Sequence, residues 1–410
     1  MRVVVVNAGS SSIKYEVFAL DGCTSVVQGS LERIGTREAG FRRRWLTDSE
    51  SWEDIVETRP IADHYEGFQY LLDVAERYPT TRVAPGAFFG FGHRVVHGGE
   101  AFREPVIVDE DVICRIKDLI PLAPLHNPPN VAGIEALRKL RPDVPNVAVF
   151  DTAFHQSMPP KAFHYALPHE LHRLHHVRRY GFHGTSHQYV TQEASNHLGI
   201  PLDQLNLITL HFGNGASAIA VRGGKSADTS MGLTPLEGLI MGTRCGDLDP
   251  AVHFYLARKT GMTFEAMEEI LNKESGHKGI CGLNDMREIQ RCAEEGDAQA
   301  GLAIEMFCYR VKKYIGAYTA VLGRVDAVIF TGGIGENATF IWARVCEGLE
   351  HLGIAVDGAR NEAVSGTVAE IQKDRAPVRV LVVRTDEELE IARQTIRTIE
   401  KSNLSKNGII

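Results

Sequence analysis

The chain opens on an unbroken apolar run, Val3-Val-Val-Val6. It breaks at Asn7-Ala-Gly-Ser-Ser-Ser12 and resumes as Ile13-Lys-Tyr-Glu-Val17, where apolar and polar positions alternate. Four β-branched residues in a row fit a buried strand, and the alternation fits a second strand after a tight turn. That turn offers Gly9, serine hydroxyls and free backbone N–H groups, a combination suited to a phosphate. Its spacing differs from the Walker pattern G-x-x-x-x-G-K-[ST], so it is not that loop. The arrangement returns at Leu207–Val221, where an apolar strand meets His211-Phe212-Gly213-Asn214-Gly215 before a second strand. It appears a third time where Ala327–Phe330 runs into Thr331-Gly-Gly333-Ile334-Gly335-Glu336-Asn337. Three strand-then-glycine units predict a duplicated α/β fold that closes on a phosphorylated ligand from both sides.

Elsewhere the period lengthens. Phe68, Leu71, Leu72 and Ala75 share one face of a helix expected over Glu66–Tyr78. Ile120–Pro129 is too rich in proline for a regular helix, and a helix is expected from about Asn130 to Leu140. Val147–Phe150 is a short buried strand ending in Asp151. Residues 179–187 read as a loop, with Thr185 and Gln188 spaced as a capping box for a helix to about Leu198. Residues 228–250 form a long Gly- and Thr-rich loop, with Pro250 placed to open a helix. Asp297–Gly323 reads as one long helix and Val380–Val383 as a strand. Thr385-Asp-Glu387-Glu388 reads as a second capping box opening the last helix, and the polar tail after Lys401 as frayed.

At 410 residues the chain suits two domains. A net charge of −8 argues against non-specific nucleic-acid binding, and Arg42-Arg43-Arg44 beside Trp45 reads as a solvated strand edge. No apolar run is long enough for a membrane span and the first residues enter a strand directly, so a cytoplasmic protein is expected. Seven cysteines without a C-x-x-C pair suggest neither a disulfide framework nor a zinc site, and most are expected to be small buried hydrophobes. His169-Glu-Leu-His172-Arg173 misses the H-E-x-x-H pattern by one position, so His169, His172, His175 and His176 read as mostly solvated. Candidate chemistry lies where polar residues end buried strands: Arg94, His126, Asp151, His183 and Arg244, each in a segment with Gly or Pro support.

Seven stretches carry a specific resemblance: Asn7–Lys14, Gly92–Gly99, Ala123–Pro129, Phe150–His155, Arg179–His187, Asp228–Pro250 and Thr331–Asn337. Together they resemble the acetate kinase family from residue 3 to about 395. Small departures are Ala8, Tyr15 and Phe212, and none removes a chemical group the reaction uses. The resemblance implies two duplicated ribonuclease-H-like domains of the actin/sugar-kinase type with a nucleotide cleft between them. The domains would be 1–152 plus 386–410, and 153–385, the latter binding nucleotide and forming a homodimer. It implies reversible, Mg²⁺-dependent transfer of the ATP γ-phosphoryl group to acetate, giving acetyl phosphate and ADP by direct in-line transfer, with Mn²⁺ as a substitute metal. Partners are then acetate, acetyl phosphate, ATP and ADP, with no nucleic acid and no membrane.

The implied roles follow position by position. Arg94 serves the substrate, Arg244 the transition state, His183 the phosphoryl oxygens, and His126 assists. Asp151, to which the family assigns proton transfer, faces an acceptor carboxylate that carries no proton. It is expected to position Arg94 or an arginine–histidine network, or to hold Mg²⁺ through water. Asn7 and Glu387 would support the metal. Ser12, Lys14, His211–Gly215 and Gly333–Asn337 would grip ATP, with Asp285, Met286 and Arg287 near the ribose or base. Val96, Leu125, Phe182 and Pro235 would form an apolar pocket for the acetate methyl. Propionate and butyrate kinases share these motifs and are the alternative. A more distant alternative is a non-catalytic actin-like nucleotide switch, which gives no reason for Arg94, His126, His183 and Arg244.

Overall fold

Val3 and Val5 lie in one apolar cluster and Val4 and Val6 in another, which is why the opening run has no polar member. A computed structural model describes residues 1–47, 51–77 and 88–406. The chain divides into two compact units, Met1–Phe154 with Asp386–Ile410, and His155–Thr385.

The first unit contains β1 (Arg2–Ala8), β2 (Ser12–Ala19), β3 (Thr24–Glu32), β4 (Thr36–Leu46), β5 (Trp52–Ile61), β6 (Phe88–Val95), β7 (Val106–Ile107) and β8 (Asn146–Phe150). They form one sheet in the order β5-β4-β3-β2-β1-β6-β8-β7. β1 pairs antiparallel with β2 and parallel with β6, and β6 pairs parallel with β8. Helices His64–Arg77 and Asn127–Leu140 bury Phe68, Leu71, Ala136 and Leu137 with Val4 and Val6. The last helix, Glu387–Lys406, buries Ile391, Ala392 and Ile399 with Val3, Val5, Val147 and Val149. β6 admits that helix because Gly90 and Gly92 lack side chains: a Cβ there would stand 2.3 Å from Ile399 and 2.4 Å from Thr395.

The second unit repeats the plan. β9 (Asn206–Phe212), β10 (Ala216–Arg222), β11 (Lys225–Thr229), β12 (Ala327–Thr331), β13 (Val368–Glu370) and β14 (Arg379–Val383) run in the order β11-β10-β9-β12-β14-β13. β9 is antiparallel to β10 and parallel to β12, and β12 is parallel to β14. This is the same succession as β3-β2-β1-β6-β8, so the duplication inferred from the glycine turns is a duplication of sheet topology. The helix Ala298–Leu322 lies between an Asp297 N-cap and a Gly323 C-cap, as its pattern predicts.

Several expectations need correction. The third helix begins at Asn127, because Pro128 and Pro129 occupy its first turn, where a missing N–H costs nothing. Thr185 lies inside the helix Gly184–Leu198, whose N-cap is His183. The last helix is capped by the Asp386 carboxylate, which accepts from the Leu389 amide, and it continues through Lys406. Gly332–Asn337 is a short helix rather than an open turn. Arg43 is buried beside Phe41 and Trp45, so only Arg42 and Arg44 of that trio face water. All seven cysteines are free thiols, and only Cys308 and Cys346 are buried. Ala75's side chain and Tyr78 lie outside the described residues.

Candidate active site

In the first unit the carboxyl ends of β1, β6 and β8 supply the polar groups. Asn130 ties the first two together: its amide donates to the Ala8 carbonyl at 2.8 Å and its oxygen accepts from the Val96 amide at 3.1 Å. Arg94, near the end of β6, donates to Asp151 through Nε at 3.2 and 3.1 Å and Nη2 at 2.6 Å. This is a bidentate clamp, the geometry a guanidinium and a carboxylate prefer. Glu387 stands 4.0 Å from Arg94 Nε. Burial works against the Arg94 charge, but Asp151 and Glu387 outweigh it and raise the arginine's pKa. Burial pushes the Glu387 carboxyl up to about 7; Arg94 opposes this and Asp151 adds to it. Asn7 and Lys14 are cross-strand partners flanking the turn, whose Gly9 amide donates to the Ser12 carbonyl at 2.8 Å. His126 and Leu125 are exposed, and Val96 is buried.

In the second unit the carboxyl end of β9 meets the helix Gly184–Leu198. His183 sits at that helix's N-cap with φ 57°, a left-handed conformation that costs a non-glycine residue energy and marks an over-determined position. A hydrogen-bond chain holds its ring. His183 Nδ1 is 2.9 Å from Ser217 Oγ, which is 2.7 Å from His187 Nε2, and His187 Nδ1 is 2.7 Å from Thr209 Oγ1. His187 is fully buried, and burial, with minor help from His211 and His155, lowers its pKa well below the imidazole range. His211 stacks on His183 at 4.3 Å between ring centroids and shares a 2.8 Å bond with Ser186.

Arg244 belongs to the same group. A Cβ on Gly215 would lie 3.4 Å from the His183 ring and 3.6 Å from Arg244 Nη1, so both side chains border the glycine turn. Arg244 Nη1 donates to the Pro235 carbonyl at 2.8 Å and contacts the Met241 sulfur at 3.5 Å. Both are neutral acceptors, and burial lowers the pKa of this guanidinium. Arg179 is held differently, by an ion pair to Glu237 and by donation to the Thr229, Ser230 and Met231 carbonyls, which pins the segment leading to Phe182 and His183.

A cavity of about 750 Å³ lies in this unit, lined by Gly213, Asn214, Asn284, Asp285, Met286, Arg287, Gln290, Gly333, Ile334, Asn337, Ala338 and Phe340. Of the expected nucleotide residues, His211, Phe212, Gly215, Gly335 and Glu336 of this unit are not in that lining, and Ser12 and Lys14 belong to the first unit. Phe212 is fully buried against Phe307 and Phe330 in the core. Glu336 instead accepts from the Gly332 and Thr385 amides at 3.1 and 2.9 Å. Sequence reasoning missed Asn284, Gln290 and Phe340, which belong to no glycine turn, and Ala338, which directly follows one. It also missed the Ser217–His187–Thr209 chain, although Ser217 stands in the repeated unit and His187 in the quoted motif.

A duplicated antiparallel-then-parallel sheet, with glycine turns at its strand ends and clamped arginines and histidines beside them, defines a two-domain α/β chain of the sugar-kinase/actin type. The acetokinase family profile matches residues 2–393, and the chain belongs to that family. The acetate kinase of Syntrophobacter fumaroxidans is 72% identical over 405 residues, covering 99% of this chain and 98% of that one. Among solved structures, Porphyromonas gingivalis acetate kinase matches with a TM-score of 0.90 and 41% identity, covering 97% of this chain and 99% of its own. A propionate kinase from Francisella tularensis matches with a TM-score of 0.89 and 40% identity, at the same coverage of both chains.

Proposed function

We infer that this chain transfers the γ-phosphoryl group of ATP reversibly to acetate, giving acetyl phosphate and ADP. The observation that carries the reading is Arg244, a half-buried cation on neutral acceptors beside His183 and the Gly215 turn. Such a charge gains most from an anion that brings its own oxygens, and a migrating phosphoryl group does so. Acetate, with a pKa near that of a glutamate side chain, about 4.3, is already ionised at neutral pH, so the reaction needs alignment and charge neutralisation rather than a general base.

In this reading Arg94 takes the acetate carboxylate and Asp151 fixes the plane of its guanidinium. Val96 and Leu125 of the first unit and Phe182 and Pro235 of the second are the apolar residues assigned to the methyl group, and His126 assists. Arg244 and His183 take the equatorial oxygens of the phosphoryl group. The neutral His187 donates from one ring nitrogen and accepts at the other. If Thr209 donates to it, Ser217 then donates to His183 Nδ1, which leaves the His183 hydrogen on Nε2. Ser12, Lys14 and the glycine turns hold ATP phosphates, and the 750 Å³ cavity takes the adenosine.

Mg²⁺ would be held by Asn7 and Glu387. Their oxygens suit a hard cation, and a carboxyl that burial pushes up to about 7 is one that a bound cation would return to its charged form. When bound, the metal neutralises charge on the phosphates. The second unit carries the homodimer contact, supported by Phe254 and Phe264, which are 57% and 81% exposed. No described helix is long and apolar enough to cross a membrane.

The test is ADP release from Mg-ATP with and without acetate, by the wild type and Arg244→Ala. Turnover should require acetate and fall about 10³-fold or more in the variant, the scale of losing a phosphoryl-stabilising arginine. ATP consumption indifferent to acetate would overturn the reading.

A further inference from the structure

Among the described residues, one group of three metal-ligating side chains converges outside the machinery above: His164, His169 and His172. We propose that these three histidines bind a divalent transition-metal ion of the zinc class, in a site that phosphotransfer does not use.

The local chain explains the convergence. His164 caps the short helix Pro160–Phe163 in extended conformation, and its amide donates to the Pro160 carbonyl at 3.0 Å. The next helix, His169–His175, starts after Pro168 and carries His169 and His172 three residues apart, on one face. Both arms are anchored. The Arg179 amide donates to the Phe163 carbonyl at 2.8 Å, and the Tyr180 hydroxyl donates to the His176 carbonyl at 3.0 Å. Three imidazoles, carried on two anchored arms, therefore face one another.

The distances suit a metal. One ligand nitrogen from each ring lies within 4.8 Å of the other two. An ion at the centre of such a triangle would sit about 2.8 Å or less from each nitrogen, and zinc–imidazole bonds are about 2.0–2.1 Å. Each ring tip needs to move by less than about 1 Å, which accessible side chains can do. The His164 and His172 rings are 4.5 Å apart at 85°, and His169 lies 5.7 and 5.9 Å from them, an open arrangement rather than a stack. The helix's own cation, Arg173, is 3.7 Å from Glu170, which offsets its repulsion of a second positive charge.

The donor set decides the class of ion. Three imidazoles suit Zn²⁺, Ni²⁺ and Cu²⁺, whereas Mg²⁺ demands oxygen ligands, so the Mg²⁺ of the phosphotransfer reaction does not compete here. Three protein ligands leave a fourth position for water or an external ligand.

The test uses the full chain, stripped with a chelator and titrated with zinc chloride by equilibrium dialysis without nucleotide. The wild type should bind one zinc saturably. His164→Ala, His169→Ala and His172→Ala should each weaken binding at least about tenfold, since even an outer-sphere partner is worth 10- to 100-fold. His175→Ala, on the same helix but outside the triad, should bind as the wild type does. Cobalt(II) substituted in the wild type should give visible absorption bands that are absent in the three variants. Absence of saturable binding by the wild type, or zinc affinity unchanged in the triad variants, would overturn the proposal. His169 is exposed, so its variant should fold and settle the question alone; an unchanged unfolding midpoint and unchanged acetate-dependent turnover without zinc verify the fold.

Discussion

Asp151 and Arg94 form a pair that can be questioned one atom at a time. If the carboxylate orients the guanidinium, Asp151→Asn keeps the shape, loses the charge-assisted bonds, and lowers kcat by roughly 10- to 100-fold, the value of a hydrogen bond between charged groups. The pH–rate profile should keep the wild-type limbs. A displaced acidic limb would instead assign Asp151 a proton-transfer role. Ser217 supports His183 in a parallel way. Ser217→Ala removes the bridge to His187 and should cost about tenfold in kcat with KM for acetate little changed, as expected when a positioning bond is lost and a buried ring nitrogen is left unpaired. Arg94, Asp151, His183 and Arg244 are legible in sequence because each follows a buried strand or sits in a glycine- or proline-rich segment. The Ser217–His187–Thr209 chain is not, because its members join two strands and a helix through side chains whose partners no local spacing reveals.

At the scale of elements, runs and alternations predict strands well and fail where a second layer covers the polar face. In β2, Lys14 and Glu16 alternate with apolar residues, yet only Lys14 is exposed. Glu16 is 7% exposed and accepts from Gln28 at 2.6 Å. Burial raises its carboxyl to about 7, the Gln28 bond opposes this, and the charges of Asp386 and Glu388 at the start of the last helix add to it. The sign follows from linkage. The folded state holds the proton more tightly than the unfolded chain, so stability is greatest below the ordinary glutamate range. It declines as pH rises from about 4.5 to about 7. The loss is at most about 3 kcal/mol. Glu16→Gln should therefore raise the urea midpoint at pH 8 and leave it nearly unchanged at pH 5; an equal effect at both would place the cause in packing instead. Helix starts are the least legible elements in this sequence. Proline in the first turn at 128 and 129 reads as a breaker until the helix beyond it is known, and adjacent Thr385 and Asp386 offer two caps of which only Asp386 is used.

For the whole molecule the connection order carries a consequence for folding. The second unit is one continuous segment, whereas the first is closed by a helix that arrives only after the second is complete. That helix contributes Ile391, Ala392 and Ile399 to the face shared with Val3, Val5, Val147 and Val149. A fully buried isoleucine is worth about 1.5–3 kcal/mol, so two isoleucines and the lost cover of four valines approach the 5–15 kcal/mol that holds a whole domain. A chain ending at Thr385 should therefore keep a cooperative unfolding transition for residues 155–385 and lose the one belonging to the first unit. It should bind ADP through the cavity lined by Asn284, Asp285 and Phe340 while showing no acetate-dependent turnover. Adding residues 386–410 as a separate peptide should restore both the missing transition and the turnover in proportion to the peptide bound. Two intact transitions in the truncated chain, measured by calorimetry, would show that the first sheet holds without its last helix and would relocate the source of that unit's stability to the cluster around Phe68 and Leu137.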